Sequence, residues 1–484
     1  MLIQHSMIYV AARVLAGVFS IATTALLTRT LDPSQYGIYG LALVFMTFTS
    51  TVCFVWLGMA FTRFGQIPQD RSKVISTIVC IFGVVVIVTA AMALLAYATG
   101  ALSQFILPFL MGILLAWSLA WFELAAGFEI ITFRPLRYLA MNVARAILVF
   151  VFALGAAWAT HDPILTAVGT ALGMIGGSMI GRFPGKFPKW HKFDRSFAIK
   201  VLVFGLPITI SMTMEALLHG TPRIIIQTLD SSAALGHYTA AYLLVTNTLT
   251  IIGAGISSAG YSSALRAAES GDQSEMRRQL LSQGALLLAV ITPAALGLAL
   301  TAKGLATLVG PQFGEVARLT PWMAVGAGVA VFRGNFLDLA FQLSHKTHLQ
   351  IWVSGFGAAI AIGLSLYLVP RSGALGAAMA VMTACIFSCG LAWLIGRKVF
   401  PLPFPPASAL RVLACCVFMA LMVRAVPAET PASFAAQVFV GVLSYGAAAF
   451  ALNLLNVRTN TLALFSGLNI RLSGNTSSGN PEKK

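Results

Sequence analysis

Thr30-Leu31-Asp32-Pro33-Ser34-Gln35-Tyr36-Gly37-Ile38-Tyr39 follows the first long apolar stretch, and a version of it returns as Thr228-Leu229-Asp230-Ser231-Ser232-Ala233-Ala234-Leu235-Gly236-His237-Tyr238. With a one-residue insertion, Thr-Leu-Asp, a Ser, a Gly and a Tyr recur in both places. Asp32-Pro33 stops one helix, because proline cannot extend the preceding turn, and an Asp or Ser side chain accepts from the free amides that open the next. Each copy falls between the first and second helices of a six-helix unit. The chain therefore reads as a duplicated bundle, a common plan among transporters.

Working outward, apolar spans lie near residues 8–28, 37–62, 74–99, 102–125, 139–159, 164–181, 201–219, 236–262, 279–302, 319–343, 348–368, 374–396, 412–423 and 432–452. At 58% hydrophobic and 10% charged residues over 484 positions, with mean hydropathy +0.86, the polar surface is too small for a soluble globule. An all-α polytopic membrane protein of about fourteen transmembrane helices is expected. Lysines and arginines gather in every second loop; the opposite loops hold only Arg29, Arg223, Lys303, Arg318, Arg371 and Arg424. Cationic loops stay cytoplasmic, so both termini are expected on the cytoplasmic side, with an even number of helices crossing the bilayer. The net charge of +16 is spread over these loops and forms no nucleic-acid patch. The first span is read as a retained helix, since no small-residue cleavage site follows it.

The expected domains are an N-terminal six-helix lobe over 1–181, a basic cytoplasmic linker over 182–200, a C-terminal six-helix lobe over 201–396, a further helix pair over 407–452 and a cytoplasmic tail over 453–484. Pro108, Pro207, Pro293 and Pro321 interrupt spans, which suits kinked, rocking helices. Gly173, Gly177 and Gly181 form a small-residue stripe for close helix packing. Cys53, Cys80, Cys385, Cys389, Cys415 and Cys416 all lie in spans and read as small apolar residues, with no disulfide or metal framework. No cofactor is expected.

Charges inside the spans carry the functional argument. Arg13, Arg145 and Arg333 lie at depth with Glu123, Glu215 and Asp338, and Arg29 and Arg223 lie near the outer ends. Each such charge costs about 2.5–3.5 kcal/mol at a helix centre, so these side chains should face a wet or paired interior. Arginine donates bidentately to phosphate oxygens and stays protonated when desolvated, which makes Arg13, Arg29, Arg145, Arg223 and Arg333 candidates for binding an anionic substrate. Glu123, Glu215, His219 and Asp338 are candidates for ion coupling or charge pairing. Glu215 and His219 share a face at i, i+4 and could titrate together. Arg333 and Asp338 stand about 140° apart on an α-helix and are not expected to pair.

Leu26-Leu27-Thr28-Arg29-Thr30-Leu31-Asp32-Pro33-Ser34-Gln35-Tyr36-Gly37 is similar to the first-helix signature of bacterial oligosaccharide flippases of the polysaccharide transporter family, within the multidrug/oligosaccharidyl-lipid/polysaccharide superfamily. Phe204-Gly205-Leu206-Pro207 resembles that family too. The resemblance implies a bacterial cytoplasmic (inner) membrane and alternating access that moves an undecaprenyl-diphosphate-linked repeat unit from the cytoplasmic to the periplasmic leaflet, for exopolysaccharide, capsule or O-antigen. It implies membrane lipids, a polymerase and a chain-length regulator as partners. A multidrug/cation antiporter of the same superfamily is the first rival, though its substrates prefer carboxylates. A membrane polymerase or ligase would need a larger exterior domain.

Overall fold

Aspartates open the helices where the sequence sets its turns. In a computed structural model describing residues 2–66, 71–100, 102–182, 193–269, 272–427 and 430–459, Asp32 and Gln35 close a capping box with Pro33 in the first helical turn. Asp162, Asp194 and Asp272 cap three further helices by accepting from backbone amides of the first turn, without a capping box. Asp194 also accepts from the Ser196 hydroxyl, and these bonds hold its carboxyl below the ordinary range.

The helices are α1 (Leu2–Thr30), α2 (Pro33–Cys53), α3 (Val55–Phe64), α4 (Arg71–Thr99), α5 (Ile106–Ile131), α6 (Pro135–Thr160), α7 (Pro163–Ser178), α8 (Arg195–Leu229), α9 (Ser232–Glu269), α10 (Gln273–Leu300), α11 (Ala302–Val309), α12 (Val316–Phe332), α13 (Leu339–Leu343), α14 (Leu349–Val399), α15 (Pro406–Arg424) and α16 (Pro431–Ala451). No strand occurs among the described residues. Eleven of these segments are long and apolar enough to cross a bilayer, and Val14–Thr30 and Pro163–Ser178 are shorter apolar helices.

The 51 residues of α14 make two crossings. Gly373 leaves the helical region at φ 56°, a left-handed conformation open to glycine, and the chain reverses there. A Cβ on Gly376 would meet the Leu368 carbonyl carbon at 2.6 Å, a contact that a straight helix could not make. With that reversal, the eleven long segments and the two shorter helices supply fourteen apolar segments among the described residues. The second expected span is broken: Phe54 adopts φ −128° between α2 and α3, and its buried ring packs 5.3 Å from Phe82 of α4.

In the first half α1 packs on α6, α2 on α5 and α6 on α7; in the second, α8 lies along α14 and α9 along α10 and α12. The halves meet where α1 and α2 cross α8 and α9. The two copies of the repeated turn touch each other there. A methyl group on Gly37 would overlap the Ser232 carbonyl, and one on Gly236 would overlap the Pro33 carbonyl. Since Pro33 aligns with Ser232 and Gly37 with Gly236, the contact is a local twofold, and glycine allows the two backbones to meet. The α15–α16 pair leans on α10, where the Tyr445 hydroxyl donates to the Ala289 carbonyl at 2.6 Å. Ile87 and Leu94 on α4, and Leu421 and Val442 on α15 and α16, are exposed and require lipid around them.

Candidate functional site

Arg145 is fixed from its root. The stripe expected from Gly173 and Gly177 presses α7 against α6: a Cβ on Gly173 would stand 2.6 Å from the Val149 Cα, and one on Gly177 2.7 Å from the Arg145 Cα. The guanidinium lies 4.4 Å over the Phe122 ring and has no acidic partner among the described residues. It lines a cavity of about 250 Å³ with Ser20, Thr23, Thr24, Tyr39, Thr170 and Asn247, and no acid is in the lining. The Tyr39 hydroxyl is 3.1 Å from that of Thr170. Asn247 of α9 donates to the Ser20 hydroxyl of α1 at 3.0 Å, so both halves build this chamber.

Arg333 has the opposite surroundings. It is 5% exposed, and its Nη2 donates to Glu215 Oε2 at 2.6 Å. The Ser354 hydroxyl donates to the same oxygen at 2.7 Å, and His219 Nε2 lies 3.5 Å from Oε1. Arg333 Nε is 3.8 Å from Asp338 Oδ2, which corrects the expectation that this pair stays apart. The reason is a π-helical turn over Arg333–Leu337, in which the Asp338 amide donates to the Arg333 carbonyl at 3.0 Å. Widening to i, i+5 brings side chains five apart to one side of the helix, and such turns recur at functional sites. Arg333, Glu215, His219, Asp338 and Ser354 thus form one knot across α8, the π turn and α14.

The remaining candidates stand elsewhere. Arg223 is buried, with its Cζ 3.7 Å from the Tyr242 ring centroid, and no acid pairs with it among the described residues. Arg29 donates to the Leu308 and Thr307 carbonyls at 3.0 and 3.1 Å, where it satisfies the C-terminal end of α11. Glu123 lines a separate cavity. The side chain of Arg13 lies outside the described residues, as does most of the basic linker. Sequence reasoning missed Ser354, Tyr39 and Asn247, because hydroxyls and amides are common in membrane helices and only folding shows which ones face a cavity.

A family described as polysaccharide biosynthesis protein matches residues 2–261. The chain belongs to this polysaccharide biosynthesis family. Leu26–Gly37 and Phe204–Pro207 both lie in the matched span, and the resemblance they carried is borne out. Among solved structures, the fold of this family member is similar to lipid II flippase MurJ in an inward closed conformation, with TM-score 0.74 and 13% identity over 93% of this chain and 99% of that one. It also matches a multidrug resistance MATE family transporter of the MOP superfamily: inward-facing at TM-score 0.55, 14% identity, 80% of this chain and 94% of that one; outward-facing at 0.51, 13%, 82% and 94%. At these identities the likeness is one of fold. No curated protein matches. The polysaccharide family member is a multi-pass membrane protein with a flippase and exporter fold.

Proposed function

We propose that the protein is a flippase that moves an undecaprenyl-diphosphate-linked oligosaccharide repeat unit from the cytoplasmic to the periplasmic leaflet of a bacterial inner membrane, for exopolysaccharide, capsule or O-antigen synthesis. The observation that carries this reading is Arg145: an acid-free guanidinium in a hydroxyl-lined chamber built by both halves. Such a group suits a diphosphate, since an ionised donor makes short, strong bonds to phosphate oxygens. A cation exporter would place acids in this chamber, and none lines it.

An apolar cavity of about 560 Å³ between α10, α12, α14 and α15 supports the lipid half of the substrate. Its walls include Leu288, Ile291, Phe332, Leu413 and Val417, which suit a hydrocarbon chain. The solved relative whose fold this chain shares is named a lipid II flippase, a likeness in the same direction. With both termini cytoplasmic, the Gly37–Gly236 contact closes the periplasmic end, and rocking of lobes 1–181 and 201–396 about it would give alternating access. The Arg333 knot is the seat we assign to ion coupling in this scheme. An interior-negative potential adds a drive of about 2.3 kcal/mol per charge per 100 mV crossed.

The test is translocation of a polyprenyl-diphosphate oligosaccharide in vesicles holding the purified protein, read by access of an external lectin or glycosidase. We expect flipping by the native chain and a loss of about tenfold or more in Arg145→Ala, the scale of one charge-assisted bond. Equal rates in protein-free vesicles would sink the proposal.

A further inference from the structure

The hydroxyls beside Arg145 are not interchangeable, because the fold has already taken several of their protons. The Thr170 hydroxyl donates to the Thr166 carbonyl at 2.9 Å, so in its 3.1 Å contact with Tyr39 it accepts, and the Tyr39 oxygen keeps only lone pairs. The Thr23 hydroxyl likewise donates to the Phe19 carbonyl at 2.7 Å. Asn247 gives one N–H to Ser20, while its Oδ1 has no hydrogen-bond partner among the described residues and is not sealed in the interior. Thr23 of α1, Tyr39 of α2 and Asn247 of α9 therefore bring acceptors to one cavity.

An anion cannot use such a wall. A phosphate or carboxylate oxygen carries lone pairs and no proton, and a desolvated charge that meets neither donor nor cation is costly. Among the described residues Arg145 is the one charged group in the lining. The diphosphate thus belongs at Arg145, and an acidic group beside it would find no second cation. What the wall can take is a neutral group that carries O–H donors. A sugar hydroxyl does so, and it also accepts from the second N–H of Asn247.

Resting on the flippase reading, we propose that Thr23, Tyr39 and Asn247 form a subsite for the sugar joined to the diphosphate, and that this subsite selects a neutral sugar over a uronic acid. The cavity of about 250 Å³ is smaller than the roughly 300–1,000 Å³ of sites for drug-sized molecules, which limits the group read here to a single ring. Two of the acceptors stand in the first half and one in the second, so the bound ring touches both.

The experiment is calorimetric titration of the purified full chain in detergent with three soluble probes: decyl diphosphate, its glucosyl ester and its glucuronosyl ester. We expect the glucosyl probe to bind about tenfold tighter than decyl diphosphate, the gain of two or three neutral hydrogen bonds, and the glucuronosyl probe to gain nothing. Thr23→Val and Tyr39→Phe should each lower the ratio of glucosyl to decyl diphosphate affinity about threefold, with folding checked by thermal unfolding. Equal affinity for the glucosyl and glucuronosyl probes overturns the proposal, as does an unchanged ratio in both variants. Should the variants fail to fold, the three probes on the native chain decide it. Binding is read here without translocation, so lost sugar discrimination strikes the subsite alone, whereas absence of flipping in vesicles strikes the function.

Discussion

Arg145 in the first half and Arg333 in the second are both arginines at membrane depth, yet their surroundings oppose each other. Arg145 faces hydroxyls and an open chamber with no acid; Arg333 is packed against Glu215 with Asp338 at its flank. An unpaired guanidinium keeps its donors for a ligand. A paired one spends them on the fold, and its burial is tolerated only because the carboxylate is present. Residue type alone therefore does not assign a role.

The largest expected effect lies in the Arg333 knot. Glu215→Ala strands a guanidinium that is 6% exposed and should destabilise the protein by about 3–5 kcal/mol. Arg333→Ala should cost less, about 2 kcal/mol, because the Glu215 side chain is 35% exposed and rehydrates. Thermal unfolding in detergent reads both, and equal losses would break the asymmetry. Arg145→Ala, by contrast, should cost only about 0.5–1 kcal/mol, the loss of its contact with the Phe122 ring, while flipping falls by far more.

The duplicated turn supplies a smaller effect and a control, since there the halves are alike. Gly37→Ala and Gly236→Ala should each cost about 1–3 kcal/mol through overlap with the opposing carbonyl. The double variant should cost less than the two together, because one displacement relieves both clashes. Additive losses in unfolding experiments would argue against the reciprocal contact. Smallest is Tyr242→Leu, which keeps bulk but removes the ring under Arg223 and should cost about 0.5–2 kcal/mol by the same measurement.

Much of the architecture was legible because lipid imposes long apolar runs and because turns such as Asp32-Pro33 and Asp162-Pro163 open new helices, although Pro207, Pro222 and Pro293 sit inside continuous ones. The break at Phe54 was not, since nothing local marks it; a buried ring packed on Phe82 sets it. Nor was the π turn, because the expectation of separate Arg333 and Asp338 assumed ordinary helical spacing, and a single widened turn reverses it.

By itself the sequence determined that this is a membrane bundle of about fourteen apolar crossings, with a Gly-bearing turn that occurs twice and arginines within its apolar runs. Hydropathy, helix stops and repetition are local properties of the chain and need no partner to be read. Tertiary structure alone decided which arginine meets a carboxylate and which meets an aromatic ring and a hydroxyl-lined cavity. That choice rests on contacts between residues more than a hundred positions apart, such as Arg333 with Glu215, and no local pattern encodes it.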